Sequence, residues 1–138
     1  MSDPTYLAHL MPRTEDSEPF WQACNEARLV LRHCEQCDTV FYYPRRLCPA
    51  CGSTRLGWRD ASGRASVFSF SEVHVPFAGP EWSTQVPYTV VLVDLDEGPR
   101  MVSRLIGEAR AEVQIGDALE VCFVEVGQQK LPFFRRIV

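Results

Sequence analysis

The sequence predicts a mainly β chain: one N-terminal helix, a small ribbon stapled by metal, and a five-stranded barrel. Three observations carry this. Four of the six cysteines fall into two pairs, Cys34-x2-Cys37 and Cys48-x2-Cys51. A single stripe of helical period precedes them. After residue 60 the chain runs in strand-length apolar segments broken by Gly and Asp turns.

Residues 1–28 read as an arm and one helix. In "TEDSEPFWQACNEARL", Asp16 or Ser17 serves as cap, Glu18 stands in the first turn, and Pro19 sits where helices tolerate proline. Phe20, Trp21 and Cys24, with Ala27 or Arg28, recur at three- and four-residue steps and make one apolar stripe. The first dozen residues show little periodicity.

Residues 29–60 form the cysteine segment. "LVLRH" leads in as a strand, "TVFYY" leads away from the first pair, and "GSTRLGWR" leaves the second pair as another short strand. A unit this small cannot bury its own core and needs a staple. Two thiolates on one tight turn grip one side of a tetrahedral ion, and a second turn supplies the other side. Zinc is the expected ion; iron uses the same four sulfurs, and ligand identity does not separate the two. Four protein ligands fill the tetrahedron and leave no position for water or substrate, so the site is structural and the cluster does no chemistry of its own. His33, beside Cys34, is expected in a structural role. Cys24 and Cys122 are expected to pack as small apolar residues.

Residues 61–138 read as strands throughout. "GRASVFSFSEV", "PYTVVLVDLDEG", "PRMVSRLI", "IGDALEVCFVEV" and "PFFRRIV" follow one another. Five short antiparallel strands close into a barrel because closure removes exposed edges, and their order suits an OB-fold. Asp94, Asp96 and Glu97 fall at a hairpin end and read as a solvated turn. The segment 74–87 is longer than a hairpin needs and carries Phe77 and Trp82, which either bind something or tuck under the barrel.

Composition bounds the function. With 46% hydrophobic and 23% charged residues, the chain is globular rather than disordered. No apolar run is long enough to span a membrane, and the N-terminus lacks the pattern of a secretory signal. A cytoplasmic setting is expected, where paired cysteines hold metal more often than disulfides. The net charge is -4, yet Arg28, Arg32, Arg45, Arg46, Arg55, Arg59 and Arg64 outnumber Glu35, Asp38 and Asp60 around the cysteines. That makes the ribbon basic and the remainder acidic. A Ser-His-Asp set and a phosphate-cradling glycine loop are both missing from the sequence, so no catalytic residue is assigned.

The helix with "PFW", the ribbon with "YYPRRLCPACGS" and the barrel together resemble the DUF35 family over roughly residues 17–138. The resemblance implies a rubredoxin-like zinc ribbon followed by an OB-fold, with one structural zinc on Cys34, Cys37, Cys48 and Cys51. Family members often carry Gly after the second cysteine; here that position is Asp38. The resemblance also implies an accessory subunit. Its partner would be a thiolase-like large subunit, of the lipid-transfer-protein type, in a hetero-oligomer that makes or cleaves carbon–carbon bonds on acyl-CoA. The catalytic residues would lie on the partner, and the small subunit would bridge the complex and share the CoA thioester. Candidate contacts with partner or CoA are Phe20, Trp21, Tyr43, Arg45, Arg46, Phe77 and Trp82, since aromatics and arginines anchor interfaces.

Two other classes compete. A zinc-ribbon and OB module can bind single-stranded nucleic acid, with Phe68 and Phe70, two apart on a strand, as a stacking face. The acidic barrel opposes this, because Arg100, Arg104, Arg110, Lys130, Arg135 and Arg136 are outnumbered by its carboxylates. A lone iron electron carrier is the third class.

Overall fold

The computed structural model describes residues 13–77 and 79–138. The N-terminal arm expected over the first dozen residues lies outside them. Helix α1 spans Glu18–Asn25 with Ser17 at the N-cap position. The Ser17 hydroxyl does not cap the helix. It accepts from the Thr14 amide at 2.9 Å and is fully buried. Phe20, Trp21, Ala23 and Cys24 form the buried face. The helix ends in a Schellman motif: Arg28 N–H donates to the Ala23 carbonyl and Ala27 N–H to the Cys24 carbonyl. Ala27 therefore takes a left-handed conformation, φ 57°, at a position that favours glycine.

The ribbon is a three-stranded sheet in the order β2-β1-β3, built from β1 (Val30–Cys34), β2 (Val40–Phe41) and β3 (Leu56–Asp60). Its tip encloses only Cys34, Phe41 and Cys48, with Leu56 packed against them. Its base is different. Leu29, Val30 and Leu31 join the same apolar cluster as α1 and the barrel interior. Ala61 N–H donates to the Leu29 carbonyl at 2.8 Å and carries the sheet into the barrel.

The barrel comprises β4 (Arg64–Val73), β5 (Tyr88–Leu95), β6 (Arg100–Leu105), β7 (Ala118–Val126) and β8 (Gln129–Arg136). They close in the order β4-β5-β6-β8-β7, the OB arrangement. Val67, Val91, Val93, Leu105, Leu119 and Phe134 fill the interior. Gly63 opens β4 at φ 83°, where a Cβ would stand 2.6 Å from Val121 Cγ1. No side chain larger than hydrogen fits there without movement.

The strands are not all antiparallel. β6 and β8 run parallel and meet in register at Leu105 and Phe134. Five strands cannot close a ring with every neighbour reversed, so one parallel seam is required. The seam is short. Beyond Phe134 the chain presents Pro132, which has no N–H to donate, and the Ser103 hydroxyl bonds the Pro132 carbonyl at 2.6 Å instead. Helix α1 lies on β8: Gln129 Nε2 donates to the Trp21 carbonyl at 3.0 Å, and Lys130 N–H to Asn25 Oδ1 at 2.8 Å.

The register of β4 shifts between Val67 and Ser69, which oppose Val93 and Leu92. Phe68 is the extra residue of this bulge. Phe70 opposes the buried Val91, whereas Phe68 lies under Arg100, whose guanidinium is 3.3 Å from the ring centroid. The two phenylalanines thus fall on opposite faces of the strand. Both rings stay about half exposed, at 42% and 40%, but they do not share one stacking face.

Candidate metal centre and aromatic groove

The metal centre is built from two equivalent turns. In the first, Asp38 N–H donates to the Cys34 carbonyl and Cys34 N–H to the Thr39 carbonyl; in the second, Gly52 N–H donates to Cys48 and Cys48 N–H to Ser53. The residue after each second cysteine is left-handed, Asp38 at φ 64° and Gly52 at φ 78°. Asp38 thus adopts a backbone shape that a glycine would take freely, and aspartate tolerates it better than most residues. Its carboxylate lies 3.0 Å from His33 Nε2, which in turn lies 3.1 Å from Arg59 Nη2. His33 braces the turn from outside the cysteine cluster.

The four sulfurs lie within 4.8 Å of one another. Cys34 and Cys51 are 3.6 Å apart, as are Cys37 and Cys48. A tetrahedron of thiolates at about 2.3 Å from zinc has edges of roughly 3.8 Å, so the donor set fits the ion. Cys37 N–H points at Cys34 Sγ (3.5 Å) and Ala50 N–H at Cys48 Sγ (3.4 Å). Amides so placed stabilise thiolate charge. Thr39, through its hydroxyl and its backbone N–H, holds the Cys37 thiol down to about 6. The Ser53 N–H acts on Cys51 in the same sense, but desolvation and the other three sulfurs outweigh it and push that thiol up to about 12. Bound zinc would supply a fixed tetrahedral crosslink, and these residues would supply all four ligands. Burial pushes Cys24 up to about 12 against the opposing charge of Arg13, which makes it an inert packed thiol. Burial also raises Cys122.

The structure divides the other expected site residues. Phe20 does not reach a surface. It is fully buried, edge-on to Trp21 at 5.0 Å and to Tyr42 at 5.7 Å, because α1 lies over β8 and the Tyr42–Tyr43 turn closes over it. Trp21 is 6% exposed and lines a groove, as does Tyr43. Arg45 and Arg46 are exposed on the ribbon, with Arg46 Nε 3.7 Å from Asp16. The two aromatics of the β4–β5 loop part company: Phe77 is 77% exposed, whereas Trp82, in a 3-10 helix (Pro80–Trp82), packs on Tyr88 at 5.5 Å.

The groove has a volume of about 600 Å³. It is lined by Trp21, Tyr42 and Tyr43, by Trp82 and Tyr88, and by Val90, Val102, Arg104 and Phe133.

Comparison with known proteins agrees with this geometry. The model of the ChsH2 rubredoxin-like zinc ribbon domain matches residues 21–57, and that of the ChsH2 C-terminal OB-fold domain matches residues 58–124. A DUF35 domain-containing scaffold protein of Methanocaldococcus jannaschii is 32% identical over 96 residues, 69% of this chain and 67% of that protein. The chain belongs to the DUF35 family. A probable enoyl-CoA hydratase alpha subunit of Thermomonospora curvata is 34% identical to this DUF35 protein over 129 residues. The match takes in 92% of the chain but only 40% of that relative's length. The solved structure of an Ltp2-ChsH2(DUF35) aldolase superposes with a TM-score of 0.82 at 32% identity, covering 93% of this chain and 99% of that one.

Sequence reasoning did not find the groove of the DUF35 protein. The available signal was "YTVVLVDL": β5 is apolar at consecutive positions, so apolar side chains stand on its outer face as well as its inner one. Tyr88 and Val90 are those outer residues, and Val102 continues them on β6 at 55% exposure.

Proposed function

We propose that this DUF35 protein is a non-catalytic accessory subunit of a thiolase-like enzyme, in a hetero-oligomer that makes or cleaves carbon–carbon bonds on acyl-CoA. The observation that carries the reading is the superposition of nearly the whole chain on a chain described as part of an Ltp2-ChsH2(DUF35) aldolase. A closed four-thiolate site supports it, because such a site can staple a scaffold and offers no open coordination position for a substrate. The proposed contact surface is the ribbon and the β4–β5 loop, where Arg45, Arg46, Leu47 and Phe77 are exposed. Phe20 supports that surface from beneath, while Trp21, Tyr43 and Trp82 border it at the groove. Arg45 and Arg46 suit the phosphates of CoA or a partner carboxylate. The expected setting is the cytoplasm; among the described residues no helix is long and apolar enough to cross a membrane.

The test is assembly. Mixed at micromolar concentration with a thiolase-like protein encoded beside it, the chain should co-elute as a hetero-oligomer. Arg45→Glu with Arg46→Glu, and Phe77→Ala, should each weaken assembly by about 1–2 kcal/mol while leaving the melting temperature of the free chain unchanged. A chain that stays monomeric beside that protein, or that turns over acyl-CoA alone, refutes the reading.

A further inference from the structure

The groove lies where OB-folds commonly take their ligands, on the second and third barrel strands beside the loop that joins the first two. Here those are β5, β6 and the β4–β5 loop. Nucleic-acid binders line this face with cations and open ring faces. This chain instead presents Val90 and Val102 on the floor. The flanking rings are engaged with one another: Trp82 leans on Tyr88 at 36°, and Tyr42 meets Tyr43 edge-on at 5.4 Å. The walls are therefore preformed, and at about 600 Å³ the space falls in the range of small-molecule sites.

Besides the tyrosine hydroxyls and indole N–H groups of its rings, the groove has few polar groups. Ser103 already donates to the Pro132 carbonyl, so it offers a ligand no free proton. Arg104 is the cation of the lining; its guanidinium lies 5.1 Å over Tyr88 and donates to Gln85 Oε1 at 3.2 Å. A guanidinium carries five N–H donors and can serve a ligand oxygen as well as Gln85. An apolar cavity with one cation suits a molecule that is apolar along its length and carries an oxygen-bearing, electron-rich end.

We propose that the groove binds the apolar body of an acyl group, with its carbonyl or carboxylate end at Arg104. The assignment rests on the acyl-CoA reading above for its choice of ligand, and it places the hydrocarbon part of the substrate, rather than the CoA nucleotide, on this subunit. Binding would bury the exposed Val102.

Tryptophan fluorescence tests it, because Trp21 and Trp82 both line the groove. The full chain is titrated with palmitoyl-CoA below its micelle concentration, with palmitate, with hexadecanol, and with CoA alone. Saturable binding of palmitoyl-CoA and palmitate, with no response to CoA, is expected. Val102→Arg and Val90→Gln, both on the outer face, should each weaken acyl binding at least tenfold without changing the melting temperature. Arg104→Gln should weaken palmitate more than hexadecanol. The proposal is overturned if no acyl probe saturates, if CoA alone competes equally, or if both floor variants bind like the parent. It is also overturned if Val102→Arg abolishes assembly with the large subunit while acyl probes fail to bind, because the groove then seats a partner polypeptide. A parent chain that binds palmitate but ignores the large subunit would defeat the accessory reading and leave the groove assignment standing.

Discussion

Replacing Cys48 with serine should release zinc and unfold the ribbon tip while the barrel stays folded. The reasoning starts from the size of the tip core, in which Cys34, Phe41 and Cys48 are buried together with part of Leu56. Burying one large apolar side chain such as Phe41 contributes about 1.5–3 kcal/mol. A structural zinc in a small domain contributes about 10–16 kcal/mol. The metal therefore dominates the tip, and what remains without it cannot hold residues 35–55 in place. The barrel is insulated because Val91, Val93, Leu119 and Phe134 belong to a separate cluster shared with α1 and the ribbon base. Elemental analysis should find about one zinc per parent chain and none in the variant. Hydrogen exchange should show the Cys34 and Cys48 amides, which bond Thr39 and Ser53, exchanging at least ~100-fold faster, equivalent to about 2.7 kcal/mol of lost protection. The β5 amides should keep theirs. Cys51→Ser separates the metal from the core, because Cys51 is exposed and its loss removes a ligand without touching the buried cluster. It should reproduce the Cys48→Ser pattern. A zinc-free variant with a protected tip, or barrel amides that lose protection together with the tip, would show that the metal is not what holds the ribbon.

Further outcomes follow from single contacts. Phe20→Ala should cost about 3–5 kcal/mol in denaturant unfolding, because the ring is fully buried among Trp21, Tyr42 and Tyr43, whereas Phe77→Ala should change stability by less than ~0.5 kcal/mol; equal effects would contradict the placement. Ala27→Gly should stabilise the chain by ~0.5–1 kcal/mol, seen as a higher melting temperature, since glycine accepts the left-handed helix end without strain; a lower melting temperature would argue against that conformation. Zinc retention should depend on Thr39. Its hydrogen bonds depress the Cys37 thiol to about 6, so that ligand stays available for metal above this pH and is lost to protons as pH falls through it. Thr39→Val raises the thiol toward its ordinary value, so a chromogenic chelator should detect zinc release beginning at higher pH. A midpoint that stays put or moves down would exclude Thr39 from the site.

Local chemistry wrote part of this protein directly into the sequence. Cysteines with two residues between them can meet one ion only on a tight turn, so Cys34, Cys37, Cys48 and Cys51 declared their cluster before any fold was known. The helix start after Ser17, the stripe of Phe20, Trp21 and Cys24, and the strand runs were equally readable, because helical and pleated periods are properties of neighbouring residues, whereas the side-chain cap expected there does not form. Other features depended on how distant segments meet. Phe20, a candidate contact from its sequence, is sealed in only when α1 is laid on β8 and the Tyr42–Tyr43 turn closes over it. Phe68 and Phe70 look like one face until a bulge, set by pairing with β5, puts them on two. The parallel seam of β6 and β8 comes from closing an odd ring, and its early end from Pro132 meeting Ser103 across the barrel. The groove belongs to this second kind. Its walls come from α1, the ribbon turn, a loop and three strands, and no stretch of sequence shorter than the whole fold brings them together.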